Sequence, residues 1–155
     1  MKGQTLIEVL VALGLIGVVA TALAGLVVIS MGGTRNSKNQ NLATQYAQEG
    51  MEVIRQRRDN DYVAFRGIVT GTYCLDAGSI TLNPDCTTAN ITANGNNFLR
   101  KVTIGQSAAT RCAPDVARVT VTVSWQDSKC SVANIFCHTS KMESCLSSVN
   151  PVPTL

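Results

Sequence analysis

GQTLIEVLVALGLIGVVATALAGLVVISM, residues 3–31, decides how the rest of the chain is to be read. After Lys2 the only formal charge before Arg35 is Glu8, and from residue 9 to residue 31 the polar side chains are Thr21 and Ser30. At about 1.5 Å rise per residue, residues 9–31 reach roughly 34 Å as a helix, enough to cross a hydrocarbon core of about 30 Å. The N-terminus is therefore a membrane or export element. A carboxylate near mid-membrane costs on the order of 3 kcal/mol. Glu8, kept just inside the apolar run, calls for a partner and a task.

Outward from this stretch, the length of 155 residues fits one domain plus an appended segment. The net charge is +3 and the charges are dispersed, which argues against a nucleic-acid groove. The sole basic cluster, Arg55, Arg57 and Arg58, is followed at once by Asp59 and Asp61 and reads as a solvated helix end. All six cysteines, Cys74, Cys86, Cys112, Cys130, Cys137 and Cys145, follow the apolar element. An even count placed there points to an oxidising compartment and a disulfide framework, with fifteen possible pairings.

Beyond the apolar run, GGTRNSK (residues 32–38) is a polar exit, where Gly32 and Gly33 are expected to loosen the backbone into a bend or a melted link. QNLATQYAQEGMEVIRQRRD (residues 40–59) resumes a helical period. Leu42, Ala43, Tyr46, Ala47, Gly50, Met51 and Ile54 fall on one stripe, that of a half-buried helix packing on a sheet. From Asn60 the period changes. In ARVTVTVSW, Val119, Val121, Val123 and Trp125 alternate with Thr120, Thr122 and Ser124, an antiparallel strand with one wet side. QDSK is predicted to turn and SVANIFC to return as its partner strand. FLRKVTIG is read as an earlier strand and YVAFRGIV as a further one, and residues 72–97 as long surface loops tied down by Cys74 and Cys86. The tail NPVPTL carries two prolines that forbid a final regular element.

GQTLIEVLVAL resembles the cleavage and assembly signal of type IV pilins and pseudopilins. The resemblance implies that Lys2 is the basic leader residue recognised with the leader. Prepilin peptidase would cut after Gly3, and Gln4 would become the N-methylated N-terminus. Thr5, Leu6 and Ile7 match the usual run, and Glu8 is the family's acidic residue. The family most often has Phe where this chain has Gln4, and no proline interrupts the apolar helix. Cleavage places a new amine one helical turn from Glu8. The carboxylate then pairs with that amine or with the amine of a neighbouring subunit, as a register device for assembly.

Two other readings compete. A signal anchor would let Glu8 snorkel to the interface. A secretory signal would use Ala22-Leu23-Ala24 before Gly25, but the apolar run continues to Met31, where a cleaved signal turns polar.

Cys137-His138, with Cys130 and Cys145 nearby, raises zinc or thiol chemistry. The spacings form no paired CxxC units, and His138 is the only histidine, so disulfides are favoured and neither metal nor cofactor is expected. Cys74–Cys86 closes a short loop through Gly78 and Pro84, worth on the order of 3 kcal/mol. The other four pair as Cys112–Cys145 with Cys130–Cys137, or as Cys112–Cys137 with Cys130–Cys145. A straight strand from 130 to 137 would hold its ends too far apart for the first option. Asn90-Ile91-Thr92 matches a glycosylation sequon, with occupancy not expected. No phosphate loop, carboxylate pair or serine triad stands out, so no enzyme is expected.

The expected fold is α+β and pilin-like, a long N-terminal helix whose outer half packs on a small antiparallel sheet bearing disulfides. Its parts are a leader (1–3), a transmembrane and assembly helix (4–31), an amphipathic helix (32–58) and a disulfide-rich head (59–155). The expected role is a structural subunit, minor pilin or pseudopilin, of a filament serving adhesion, motility, DNA uptake or secretion. Its partners would be prepilin peptidase, other pilin subunits, the assembly platform of the cytoplasmic membrane and, before assembly, membrane lipid, with no specific nucleic acid. The C-terminal domain would lie outside the membrane. The alternative is a secreted or anchored disulfide-rich binding domain that does not polymerise.

Overall fold

The computed structural model describes residues 4–106, 112–113, 116–127 and 130–148. Lys2, Gly3, two residues of QDSK and the tail NPVPTL lie outside them. The chain divides into two units, Met1–Asn39 and Gln40–Leu155.

The first unit is helical. Helix α1 spans Gln4–Asn60 and continues as helix through Gly32 and Gly33. The expected melted link is absent from it. Two adjacent glycines cost about 1 kcal/mol each in helix propensity, but extending a formed helix requires no new nucleus. Thr34 Oγ1 donates to Ser30 O at 3.0 Å, so this hydroxyl is used within the helix.

The second unit takes residues 40–60 of α1, a short helix α2 (Tyr62–Arg66) and six strands. The strands are β1 (Gly71–Leu75), β2 (Leu82–Asn83), β3 (Ile91–Ala93), β4 (Asn96–Gly105), β5 (Ala117–Trp125) and β6 (His138–Leu146). All pairings are antiparallel, in the order β2-β1-β4-β5-β6, with β3 pairing β4. This is the α+β, pilin-like architecture.

The core follows from the two periodicities. Ala43, Ala47, Met51 and Ile54 of α1 are buried, with Leu42 and Tyr46 packed at their flank. The sheet answers with Phe98, Val102 and Ile104 from β4, and with Ala117, Val119, Val121, Val123 and Trp125 from β5. Each fully buried Val, Ile, Met or Phe among them contributes about 1.5–3 kcal/mol. Gly50 faces the sheet, with no room for a side chain. A Cβ there would lie 3.0 Å from Arg100 Cδ and 3.1 Å from Val121 Cγ1.

Three expectations are corrected. YVAFRGIV is not a strand: Asp61 caps α2, its Oδ1 accepting from Ala64 N at 2.8 Å, and Phe65 is buried. The stretch 72–97 is not all loop, because most of β1 and all of β2 and β3 lie in it. β3 and β4 join through Asn94-Gly95, both at positive φ, the backbone a two-residue hairpin turn demands. SVANIFC is not the strand that returns along β5. Residues 131–137 form a loop, with Asn134 N donating to Ser131 O at 3.0 Å, and the returning strand is β6.

Candidate functional site

Gln4 opens α1, and Glu8 follows four residues later on the same helix. Side chains at i and i+4 lie one above the other. Glu8 therefore follows position 4 by one helical turn. Glu8 is exposed, and so is every residue of Leu6–Val27, a 22-residue segment of mean hydropathy 2.5 that is long and apolar enough to cross a membrane. Leu6, Ile7, Leu10, Leu13 and Leu15 are each at least 60% exposed. So large an apolar surface needs lipid or other helices to cover it.

One side of this segment is small. Gly14 and Gly17 are three residues apart, Thr21 and Ala24 continue the stripe, and a Cβ on either glycine would meet nothing within 4 Å. Thr21 Oγ1 donates to the carbonyls of Val18 and Gly17 (2.9 and 3.2 Å). Its hydroxyl is thus satisfied within the helix, and the stripe is free of unmet polarity. Small residues of this kind let helix backbones approach closely in an apolar medium.

In the second unit the main polar feature is Arg100, which the sequence reading passed over. It is fully buried on the helix-facing side of β4, between Phe98 and Val102. Its Nε donates to Leu75 O (2.8 Å), Nη2 to Asp76 O (2.7 Å) and Nη1 to Tyr46 O of α1 (3.1 Å). Glu49 Oε1 lies 3.3 Å from Nη1 and supplies the counter-charge. A buried guanidinium is tolerated only when its donors are met. Here the donors rivet the end of β1 and the helix to β4.

Asn90 completes the same cluster. Its amide donates to Leu75 O and Arg100 O (3.3 and 3.0 Å), and its Oδ1 accepts from Arg100 N (2.8 Å). The sequon asparagine is thus a structural hub whose side chain is fully engaged.

The cysteines form three bridges: Cys74–Cys86, Cys112–Cys145 and Cys130–Cys137, with Cα separations of 5.2, 5.7 and 5.4 Å. The third closes because residues 130–137 fold back as a loop, removing the straight strand that had counted against it. The structure also brings Asp127, Cys130, Cys137 and His138 together, with donor atoms within 4.8 Å of one another. In this cluster the two sulfurs are bonded to each other. Asp127 Oδ2 lies 2.9 Å from His138 Nε2, and the imidazole stacks on Trp125. The grouping reads as the lock of the β5–β6 connection.

Residues 1–24 match the family described as the prokaryotic N-terminal methylation motif, the type IV pilin signature. No curated protein and no solved structure matches the chain. The chain therefore carries the mark of a processed, pilin- or pseudopilin-type subunit, a structural rather than an enzymatic class.

Proposed function

We propose that this chain is a minor pilin or pseudopilin, cut after Gly3 by prepilin peptidase and polymerised through α1 into a type IV pilus-like filament. The observation that carries the reading is the wholly exposed apolar segment Leu6–Val27, which holds a single carboxylate, Glu8, one turn after the methylation-motif residue Gln4. Before assembly the segment spans the cytoplasmic membrane with the head outside, and lipid covers it. In the filament, neighbouring α1 helices replace lipid along the Gly14–Gly17–Thr21–Ala24 side.

Glu8 sets the register. Alone in the membrane its charge is costly, and docking beside the N-terminal amine of a neighbour relieves that cost. The disulfide-bonded heads face outward, where the filament serves adhesion, motility, DNA uptake or secretion. Arg100 and its carbonyls hold α1 to the sheet within the head, so that pull on the helix is transmitted to the sheet.

Mass spectrometry of the native N-terminus tests the processing: the reading expects a chain beginning at Gln4 and carrying one methyl group. A chain beginning at Met1 or Gly25 overturns it. Shearing cells tests the assembly, with the protein expected in pelleted filaments; recovery only as monomers in the supernatant selects the non-polymerising binding domain instead.

A further inference from the structure

Among the described residues, four metal-ligating side chains converge at the base of the loop between β5 and β6: Asp127, Cys130, Cys137 and His138. All four are half-buried, so an ion can reach them from solvent. The Cys130–Cys137 bridge joins the two sulfurs, but the loop does not rely on it alone. Trp125 pairs with His138 in the β5–β6 ladder, and Asp127 Oδ2 meets His138 Nε2 at 2.9 Å. Cys130 N donates to Asp127 O at 3.2 Å, and Asn134 N to Ser131 O at 3.0 Å. Strand pairing and main-chain turns thus keep Cys130 beside Asp127, and Cys137 beside His138, with the bridge open as well as closed.

Two thiolates, one imidazole and one carboxylate are a borderline-soft set of four, the number and kind that tetrahedral Zn2+ takes. Ca2+ and Mg2+ prefer oxygen ligands throughout. With Zn–N of about 2.0–2.1 Å and Zn–S of about 2.3 Å, tetrahedral ligand atoms stand about 3.3–3.8 Å apart. The carboxylate–imidazole distance of 2.9 Å and the distance of 3.7 Å from Asp127 Oδ1 to Cys130 Sγ are already near those values. The largest movement falls to the sulfurs, which part from a covalent bond to about 3.8 Å. Asp127 N donates to Cys130 Sγ at 3.4 Å, a contact that strengthens when the sulfur becomes a thiolate. Trp125 stacks on the imidazole, with ring centroids 5.4 Å apart, and fixes its plane as an outer partner does at a metal site.

We propose that Asp127, Cys130, Cys137 and His138 form a Zn2+ site whenever the Cys130–Cys137 bridge is open, so that bridge and metal are alternative fastenings of one loop. A chain not yet oxidised has both thiols available. In a bridged chain a dithiol reaches the same state by exchange: its own two sulfurs join as a disulfide, and their hydrogens pass to Cys130 and Cys137. Zn2+ then takes both sulfurs as thiolates, and the two thiol protons leave to solvent. The ion replaces the hydrogen between Asp127 and Nε2, the imidazole keeping one on Nδ1. The inference concerns the head alone and is independent of processing at Gly3 and of polymerisation through α1.

The test uses the full chain in detergent micelles, reduced without oxygen by a water-soluble phosphine, which becomes its oxide as water supplies the hydrogens of the thiols. Co2+ is the probe. One ion per chain is expected, with the strong visible bands of a tetrahedral site and thiolate charge transfer, and Zn2+ is expected to bleach them. Cys130→Ser with Cys137→Ser keeps the other four cysteines and is expected to lose the bands. His138→Gln and Asp127→Asn are each expected to weaken binding at least tenfold, since even outer partners contribute about 10–100-fold. Near-ultraviolet circular dichroism of Trp125 reads whether each reduced chain keeps its fold. A second measurement decides where it does not. In a mild thiol buffer, alkylation and peptide mapping read the open-to-closed ratio of each bridge in the otherwise oxidised chain. Free Zn2+ at about a hundred times its dissociation constant is expected to raise that ratio about a hundredfold for Cys130–Cys137 and to leave Cys74–Cys86 unchanged. Equal bands from the Cys130→Ser, Cys137→Ser chain, a folded reduced chain without tetrahedral bands, or opening of Cys130–Cys137 that ignores Zn2+ each overturns the proposal.

Discussion

Arg100→Met isolates the rivet at the centre of the head. The substitution keeps an apolar stem of similar length and removes the guanidinium. A hydrogen bond from a charged donor contributes about 1.5–3 kcal/mol, and three are lost here, to Leu75 O, Asp76 O and Tyr46 O. Two offsets apply. Leu75 O keeps Asn90 Nδ2 at 3.3 Å, and Asp76 O keeps Ser79 N at 3.2 Å, while burial of the charge no longer costs anything. The net is a loss of about 3 kcal/mol, or roughly 12 °C in Tm for a head of this size. Thermal unfolding of the full chain in detergent, followed by near-ultraviolet circular dichroism of the buried Trp125, measures it. Glu49→Gln is the comparison. Its carboxylate is 42% exposed, so screening limits the cost to about 1 kcal/mol. A loss below about 1 kcal/mol for Arg100→Met, or an equal loss for Glu49→Gln, would refute the claim that the carbonyl contacts join helix to sheet.

The other predictions concern assembly, redox state and acid. Glu8→Ala is expected to lower recovery of the subunit in sheared filaments about tenfold while its membrane level holds or rises, because removing the carboxylate eases insertion and abolishes register; immunoblots of both fractions read this. In the chain-entropy treatment, losing Cys112–Cys145, of separation 33, costs about 3.7 kcal/mol, and losing Cys130–Cys137, of separation 7, about 2.4 kcal/mol. Paired Cys→Ser variants are therefore expected to melt in that order. The Glu143 carboxyl is held below its ordinary 4.5 chiefly by the hydrogen bond from Arg118, which outweighs the opposing effect of desolvation, with the nearby charges of Arg118 and Lys141 adding to the lowering. A lowered folded value gives stability that is fully present above pH 4.5 and fades as pH falls through the lowered value. Glu143→Gln is thus expected to melt below the parent at neutral pH and to converge with it in acid.

Legibility in the sequence followed periodicity. Residues 40–59 and ARVTVTVSW carry clean periods of 3.6 and 2, and both form the elements those periods imply. β6 carries none, since its helix-facing positions are His138, Ser140, Met142, Ser144 and Leu146. An end strand lies along the polar flank of α1, where Ser140 meets Thr44 at 3.3 Å, so it needs no apolar alternation. The β3–β4 hairpin announced itself through Asn94-Gly95, but so many Asn, Gly and Thr residues surround that pair that composition drowned the turn signal. Arg100 stood at an inward position of a strand otherwise lined by Phe98, Val102 and Ile104, and that parity was the available clue. The N-terminal segment was the most legible of all, because membrane thickness and the cost of one carboxylate constrain it without reference to the rest of the fold. The loop at 130–137 was misread because its apolar residues resemble a strand while Val132 stands fully exposed and Ile135 largely so.

The three bridges are not in chain order, and that has a consequence for biogenesis. Cys130–Cys137 is nested inside Cys112–Cys145, so a chain oxidised as it emerges N-terminus first offers Cys130 to Cys112 before either native partner has arrived. Cys74 and Cys86 are neighbours in the emerging order and are spared this conflict. A strictly vectorial oxidase therefore yields one correct bridge followed by a Cys112–Cys130 mispairing. Such a chain matures only where oxidation waits for residue 145 or where an isomerase reshuffles the pair. Acid trapping and peptide mapping of chains caught during oxidation are expected to show that mixed species accumulating when isomerase is withheld; its absence would show that oxidation follows folding.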